Sequence, residues 1–235
     1  DLLTTDVPFN LEAGANIAKD GREFVKGAGA YDRVPYDLEA HASSWGRLMG
    51  ESGVVVAWCS DKQLSPLHEL LTAAGADATQ TLVWHLTNPT PVIRRSRLLS
   101  AAQFAVIARW PGPVRLIERW LGQDAKSHNV WEGPGAVGRE RLILAVDSPD
   151  GDRKLIGQKP LWLARKVAAL FGLPGGTAFD PHAGTGALLC GAVDVGMDVM
   201  GCELRPWWAE AASKRITKHT AESMLGRVAR QGAQT

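Results

Sequence analysis

A glycine-rich turn and an acidic strand end are the residues of this 235-residue chain best placed to do chemistry. Phe179-Asp180-Pro181-His182-Ala183-Gly184-Thr185-Gly186 reads as a strand running through a glycine turn into a helix. Glycines there let the backbone approach a ligand closely and expose helix N-terminal amides. Glu203 ends the next strand, where a carboxylate can take the hydroxyls of a ribose. Alone, a Gly-x-Gly turn is as readily a tight connection; with Glu203 it points to a nucleoside cofactor. The 19 residues from Gly184 to Glu203 match the ~20 of a dinucleotide fingerprint, so spacing leaves NAD open. The third glycine of that fingerprint is missing, however, and Leu189 stands in its place.

These residues must be held by a sheet. Residues 2–5 read as a short buried strand ending at Asp6-Val7-Pro8-Phe9. Residues 10–33, rich in Gly, Ala and charge, read as a long mobile loop. A helix is expected over 35–50, and the apolar run Gly53 to Cys59 is a strand covered on both faces. Leu64, Leu67, Leu70, Leu71 and Ala74 repeat at helical spacing until Gly75. Strands follow over 79–86 and 103–110. From Pro111 to about Ile156 periodicity fades into an irregular insert. Pro160 then opens a helix that ends near Leu173-Pro174-Gly175-Gly176. A strand over 177–180, a helix over 184–195, a strand over 197–203 and a helix from Pro206 to about Lys218 complete the pattern, and the tail reads as polar and frayed. Strands alternating with helices imply an α/β fold, a mostly parallel sheet with helices on both faces.

The composition, 45% hydrophobic and 22% charged, is that of a globular domain. No apolar run reaches the ~20 residues of a membrane helix, and there is no signal-peptide pattern, so a cytoplasmic protein is expected. Cys59, Cys190 and Cys202 form no metal-like cluster and read as buried thiols; no metal is expected. The net charge of +1 hides an asymmetry: residues 1–84 hold 6 Lys/Arg against 12 Asp/Glu, whereas residues 85–165 hold 13 against 7. Such a basic middle fits either a polyanion-facing surface or scattered solvated arginines. The chain lacks an initiator methionine and opens directly on a strand, as expected of a fragment or of a chain whose first residues were removed.

Gln158-Lys159-Pro160 and its helix, then the Asp180 to Gly186 loop, then Gly201-Cys202-Glu203-Leu204-Arg205-Pro206-Trp207-Trp208, resemble in series the second half of the amino-methyltransferases that modify DNA. That family orders a Gln-Lys-Pro helix, an Asp-Pro-Phe-x-Gly-Ser/Thr-Gly loop and an acidic strand end followed by an aromatic. The resemblance implies a Rossmann-like methyltransferase sheet and S-adenosylmethionine as cofactor. It implies that Asp180, Pro181, Gly184, Thr185 and Gly186 surround the methionine part, that Glu203, next to Leu204, holds the ribose, and that Trp207 or Trp208 covers the adenine. His182 replaces the family's Phe, and either stacks or is solvated. Lys159 either reaches the cofactor carboxylate or caps the helix entry, the second being favoured.

The family's other signature, Asp-Pro-Pro-Tyr at a strand end, corresponds to Asp6-Val7-Pro8-Phe9. An exocyclic amine is a poor nucleophile because its lone pair is delocalised into the ring. Hydrogen bonds to the Asp6 carboxylate and the Val7 carbonyl would pull it towards a tetrahedral shape and stabilise the charge of methyl transfer. Pro8 biases Val7 to an extended backbone. Phe9 would stack on a flipped-out base. Val7 departs from the pattern and removes a ring that stiffens it.

The reacting motif precedes the cofactor motif, with the basic stretch between, as in the permuted, beta-class order of these enzymes. Residues 1–110 would form the first part of the catalytic domain, 111–156 the target-recognition insert, and 157–235 the cofactor-binding part. Thr81-Leu82-Val83-Trp84-His85 and Asn88-Pro89-Thr90-Pro91 resemble the family's Trp-x-Lys and Arg-rich segment, although Leu86 replaces the Lys. Arg94, Arg95 and Arg97, with Arg139, Arg141, Arg153 and Lys154, would face double-stranded DNA. The short insert fits a short recognition site, or a second subunit as in a homodimer. The Asp of the first motif resembles the adenine-N6 group more than the cytosine-N4 group, which commonly has Ser. The alternatives are a cytosine-N4 enzyme, a binding relative disarmed by Val7 and His182, and a nicotinamide-dependent enzyme on the same sheet.

Overall fold

The computed structural model describes residues 1–9, 36–50, 52–89, 98–112, 128–142 and 157–232. Its core is one seven-stranded sheet of order β5-β3-β4-β2-β1-β6-β7. The strands are β1 Leu2–Asp6, β2 Gly53–Cys59, β3 Ala78–Leu86, β4 Ala102–Trp110, β5 Val130–Gly133, β6 Thr177–Asp180 and β7 Asp198–Gly201. Only β4 runs against the others, pairing antiparallel with both β2 and β3. The remaining pairs are parallel.

Helices α1 Leu38–Met49 and α2 Leu64–Ala73 cover one face, and α3 Leu161–Phe171 and α4 Ala187–Asp194 cover the other. Strand β2 shows why its apolar run is continuous: Val54, Val56 and Trp58 pack under α3 and α4, while Val55, Ala57 and Cys59 pack under α1 and α2. A strand with two buried faces has no polar side to display. Helix α5, Pro206–Gly232, packs on α4 and buries Trp208 and Ala212. Gly191 of α4 lies so close to α3 that an added Cβ would come within 2.4 Å of the Ala164 backbone.

Local chemistry places the helix ends. The Asp37 carboxylate accepts from the Ala40 amide at 2.9 Å and starts α1. Gly75, at φ 104°, closes α2. The Glu140 carboxylate accepts from the Leu161 amide and caps α3 from a distant turn.

Three expectations are corrected. The segment read as irregular contains β5, which extends the sheet beside β3 and buries Trp131. The polar tail read as frayed continues α5 to Gly232. Cys59 and Cys190 are buried, but Cys202 is exposed because it follows the edge strand β7. The loop expected over 10–33 lies outside the described residues, as do Arg94, Arg95, Arg97, Arg153 and Lys154. Among the described residues, no helix is long and apolar enough to cross a membrane.

Candidate active site

Strands β1 and β6 are parallel neighbours, with Leu2 opposite Ala178 and Leu3 opposite Phe179. They therefore end at the same edge of the sheet, and bring Asp6 and Asp180 to that edge together. After β1 the chain continues to β2 on one side; after β6 it continues to β7 on the other. The crevice between them is the topological switch point where open α/β sheets bind ligands. Thr5 Oγ1 and His182 Nδ1, 3.0 Å apart, link the two strand ends.

The glycine loop is sewn to the end of β7. Cys202 donates its amide to the Asp180 carbonyl at 2.9 Å, and Ala183 donates to the Cys202 carbonyl at 2.8 Å. Gly184 and Gly186 take φ of 52° and 70°, the left-handed region that favours glycine. The Gly184 amide donates to Glu203 Oε2 at 2.9 Å, and the Arg205 amide donates to Oε1 at 3.0 Å. Each carboxylate oxygen of Glu203 still has a lone pair for a further donor. Thr185 is buried, and its carbonyl accepts from Arg215 of α5 at 3.2 Å.

Asp180 is buried, and its Oδ1 accepts the His182 amide at 3.0 Å. Burial pushes its carboxyl up to about 7, with the Asp6 and Glu203 charges adding to the rise; the His182 amide and the Thr5 hydroxyl oppose it. The His182 ring is packed rather than solvated. Tyr36 meets it edge-on at 5.2 Å and His41 lies at 5.3 Å. Burial, helped by His41, lowers its pKa to about 4 and leaves the imidazole neutral.

Of the two indoles, Trp208 is wholly buried in helix packing and has no face free for a ligand. Trp207 is half-buried, and its Nε1 is buried with no hydrogen-bond partner among the described residues. Leu204 is 88% exposed, and Pro181 is half-buried.

At the end of β1, Val7 is buried and donates its amide to the Trp58 carbonyl at 3.0 Å. The Pro8 carbonyl accepts from Gln63 Nε2 at 2.8 Å, and Gln63 Oε1 in turn accepts from Ser60. Asp6 Oδ2 accepts from the Lys159 ammonium. Asp6 Oδ1 is buried and accepts no hydrogen bond among the described residues. Burial raises the Asp6 carboxyl, and Lys159 opposes the rise.

Lys159 therefore makes no helix cap: its ammonium sits on Asp6, 5.7 Å from the Phe9 ring and 5.6 Å from the Trp58 ring. Its neighbour Gln158 accepts from the Leu142 amide and donates to the Glu140 carbonyl, both at 2.9 Å. These bonds tie the Glu140–Leu142 turn to the start of α3. Arg139 lies in the short turn Gly138–Glu140, and Arg141 follows it, exposed.

Thr5, Tyr36, His41, Gln63 and Arg215 also shape this edge without having been singled out in the sequence. Gln63 does belong to a local motif, the Ser60–Gln63 capping box, which the spacing could have shown; the others arrive by tertiary packing. No group of His, Cys, Asp or Glu among the described residues is arranged to hold a metal ion.

A six-parallel, one-antiparallel sheet with its crevice at β1 and β6 defines the Rossmann-like fold of S-adenosylmethionine-dependent methyltransferases. Solved structures share this fold. M1.HpyAVI in complex with S-adenosylmethionine superposes with a TM-score of 0.63 at 17% identity, over 92% of this chain and 88% of that one. The cytosine-N4-specific PvuII DNA methyltransferase gives 0.61 at 14% identity, over 96% and 86%. No family model matches the chain.

Proposed function

We propose that this chain moves a methyl group from S-adenosylmethionine to the exocyclic amine of a flipped-out base in double-stranded DNA, and that the amine is N6 of adenine. One observation carries the reading. A buried carboxylate oxygen with no partner among the described residues, Asp6 Oδ1, stands at the same sheet edge as the glycine loop of the adjacent parallel strand. An unsatisfied buried acceptor is costly unless something donates to it, and a base amine is such a donor.

The residues fit the cofactor. Glu203 is held by two backbone amides at the strand end and keeps a free lone pair on each oxygen for ribose hydroxyls. The half-buried Trp207, four residues further along the chain, offers an indole for the adenine. Asp180, Pro181, His182, Gly184, Thr185 and Gly186 line the turn where the methionine part would lie. When bound, the cofactor supplies an electrophilic methyl on a sulfonium, which keeps the electron pair of the broken bond.

The chain's own residues do the rest. Asp6 Oδ1 and the Val7 carbonyl accept the two amine hydrogens and draw the nitrogen lone pair out of conjugation. They also stabilise the positive charge on that nitrogen, an effect worth about 3–4 kcal/mol per well-placed group. Asp6 Oδ1 then receives the proton that the methylated nitrogen gives up. Phe9 stacks on the base after it leaves the duplex. Arg94, Arg95, Arg97, Arg139 and Arg141 contact phosphates.

Labelled methyl transfer to unmethylated DNA, followed by digestion to nucleosides, tests this. The expected product is N6-methyladenine. N4-methylcytosine would move the target to cytosine, a second reading favoured by the likeness to the PvuII enzyme. Full transfer by an Asp6→Ala variant would refute the assigned site.

A further inference from the structure

Resting on the methyl-transfer reading, we propose that Lys159 is a positioning residue whose buried ammonium holds Asp6 Oδ2, so that Oδ1 is presented to the substrate amine as an ionised acceptor. The asymmetry between the two oxygens is the main observation. Oδ2 is bonded to Lys159, and Oδ1, itself buried, is bonded to nothing among the described residues. A carboxylate with one oxygen fixed has its plane set, and its second oxygen points one way.

Lys159 is placed to do this. It is 4% exposed, far below the usual exposure of a lysine. Gln158 before it is clamped to the Glu140–Leu142 turn, and Pro160 after it opens α3, so its backbone is held on both sides. The faces of Phe9 and Trp58 flank the ammonium at 5.7 and 5.6 Å, a distance at which aromatic faces favour a cation. The same ammonium therefore touches the carboxylate and the ring proposed to stack on the base.

The charge around Asp6 explains why a cation is needed. Among the described residues, the groups facing it are Lys159 at the entry to α3, the Cys59 thiol at the end of β2 with Asp61 beyond, and Asp180 at the end of β6. Of these only Lys159 is positive. Without it, burial and the neighbouring carboxylates favour the protonated acid. A protonated Asp6 would donate a hydrogen where the amine needs an acceptor.

The test compares Lys159→Met and Lys159→Arg with the wild type. We expect Lys159→Met to move the acidic limb of the kcat/KM profile for methyl transfer upward by about one pH unit or more. Transfer at neutral pH should fall about tenfold or more, with cofactor affinity unchanged. Lys159→Arg should bring the limb back. A carbon-13 titration of the Asp6 carboxyl, which needs no activity, should show the same upward move in Lys159→Met. Should that variant fold poorly, Lys159→Gln keeps a polar end and removes the charge. An Asp6 titration and an acidic limb that both stay in place in a folded neutral variant would overturn the proposal. Failure of the wild type to methylate DNA would instead sink the proposed function, while the Asp6 titration would still judge the pair.

Discussion

The Gly184 amide donates to Glu203 Oε2 at 2.9 Å, so the carboxylate proposed to bind ribose also shapes the glycine loop. Two roles in one side chain separate by substitution. Glu203→Ala loses both, and is expected to weaken S-adenosylmethionine binding by about 2–4 kcal/mol, from a charge-assisted bond and an unpaired amide. Glu203→Gln keeps an oxygen for the Gly184 amide and should lose less. Calorimetric titration of the cofactor into the three proteins reads this. Equal affinities for all three would remove Glu203 from the site.

Asp180 makes the fold sensitive to pH in a direction opposite to most carboxylates. Its pKa rises from 3.8 to about 7 on folding, chiefly through burial. Between those values the folded state holds a proton that the unfolded chain has released. Stability from this group is therefore full below about pH 4, falls as pH rises towards 7, and stays low above it. Asp180→Asn keeps an acceptor for the His182 amide and carries no charge. Denaturation of the ligand-free proteins should show the variant more stable by on the order of 2–4 kcal/mol at pH 8. The gap should close towards pH 4. A variant less stable than wild type at pH 8 would contradict the assignment.

What the sequence reveals about this molecule divides along physical lines. Strand β2 is legible because both its faces are buried and every residue after Gly53 is apolar. The glycine loop is legible because left-handed backbone at Gly184 and Gly186 restricts the residue type. Strand β5 is hidden: it has four residues, Val130 and Glu132 are exposed, and only Trp131 marks an inner face. Its pairing with β3 comes from tertiary context. The continuation of α5 past Lys218 is hidden for another reason. Polar residues such as Thr220 and Glu222 give no apolar stripe, yet Ala221, Glu222, Met224 and Leu225 are good helix formers. The site is half legible. Asp6 and Glu203 are found at strand ends, but Lys159 reaches Asp6 across 153 residues of chain, and no local spacing encodes such a contact.

Gly191 is required by space rather than by backbone angle. A Cβ there would lie 2.4 Å from the Ala164 carbonyl carbon and 2.6 Å from the Arg165 nitrogen. These are backbone atoms of α3, which cannot rotate away. Gly191→Ala should gain a little helix propensity and lose more to overpacking, for a net destabilisation of about 1–3 kcal/mol. Urea denaturation should show an earlier midpoint with an unchanged slope. A later midpoint would mean that α3 and α4 separate more easily than their packing suggests.

Arg94, Arg95 and Arg97 lie outside the described residues, and their proposed role is tested through salt. Each phosphate contact contributes about 0.9 to the slope of log affinity against log salt. Replacing all three with Ala should flatten that slope by about two to three, and weaken all DNA sequences alike. A changed sequence preference with an unchanged slope would make them base readers instead.

Val7 stands where the resembled motif has proline, and the structure shows what the replacement brings. Its amide donates to the Trp58 carbonyl at 3.0 Å and adds a bond between β1 and β2 that proline cannot make. The backbone is thereby held by a hydrogen bond instead of a ring, and Gln63 holds the following Pro8 carbonyl. Val7→Pro should therefore lose about 1 kcal/mol of stability through the unpaired carbonyl. It should leave the rate of methyl transfer within about twofold, well under 1 kcal/mol of barrier. A large gain in rate would show that Val7 weakens the motif; a gain in stability would show that the bond to Trp58 is not needed.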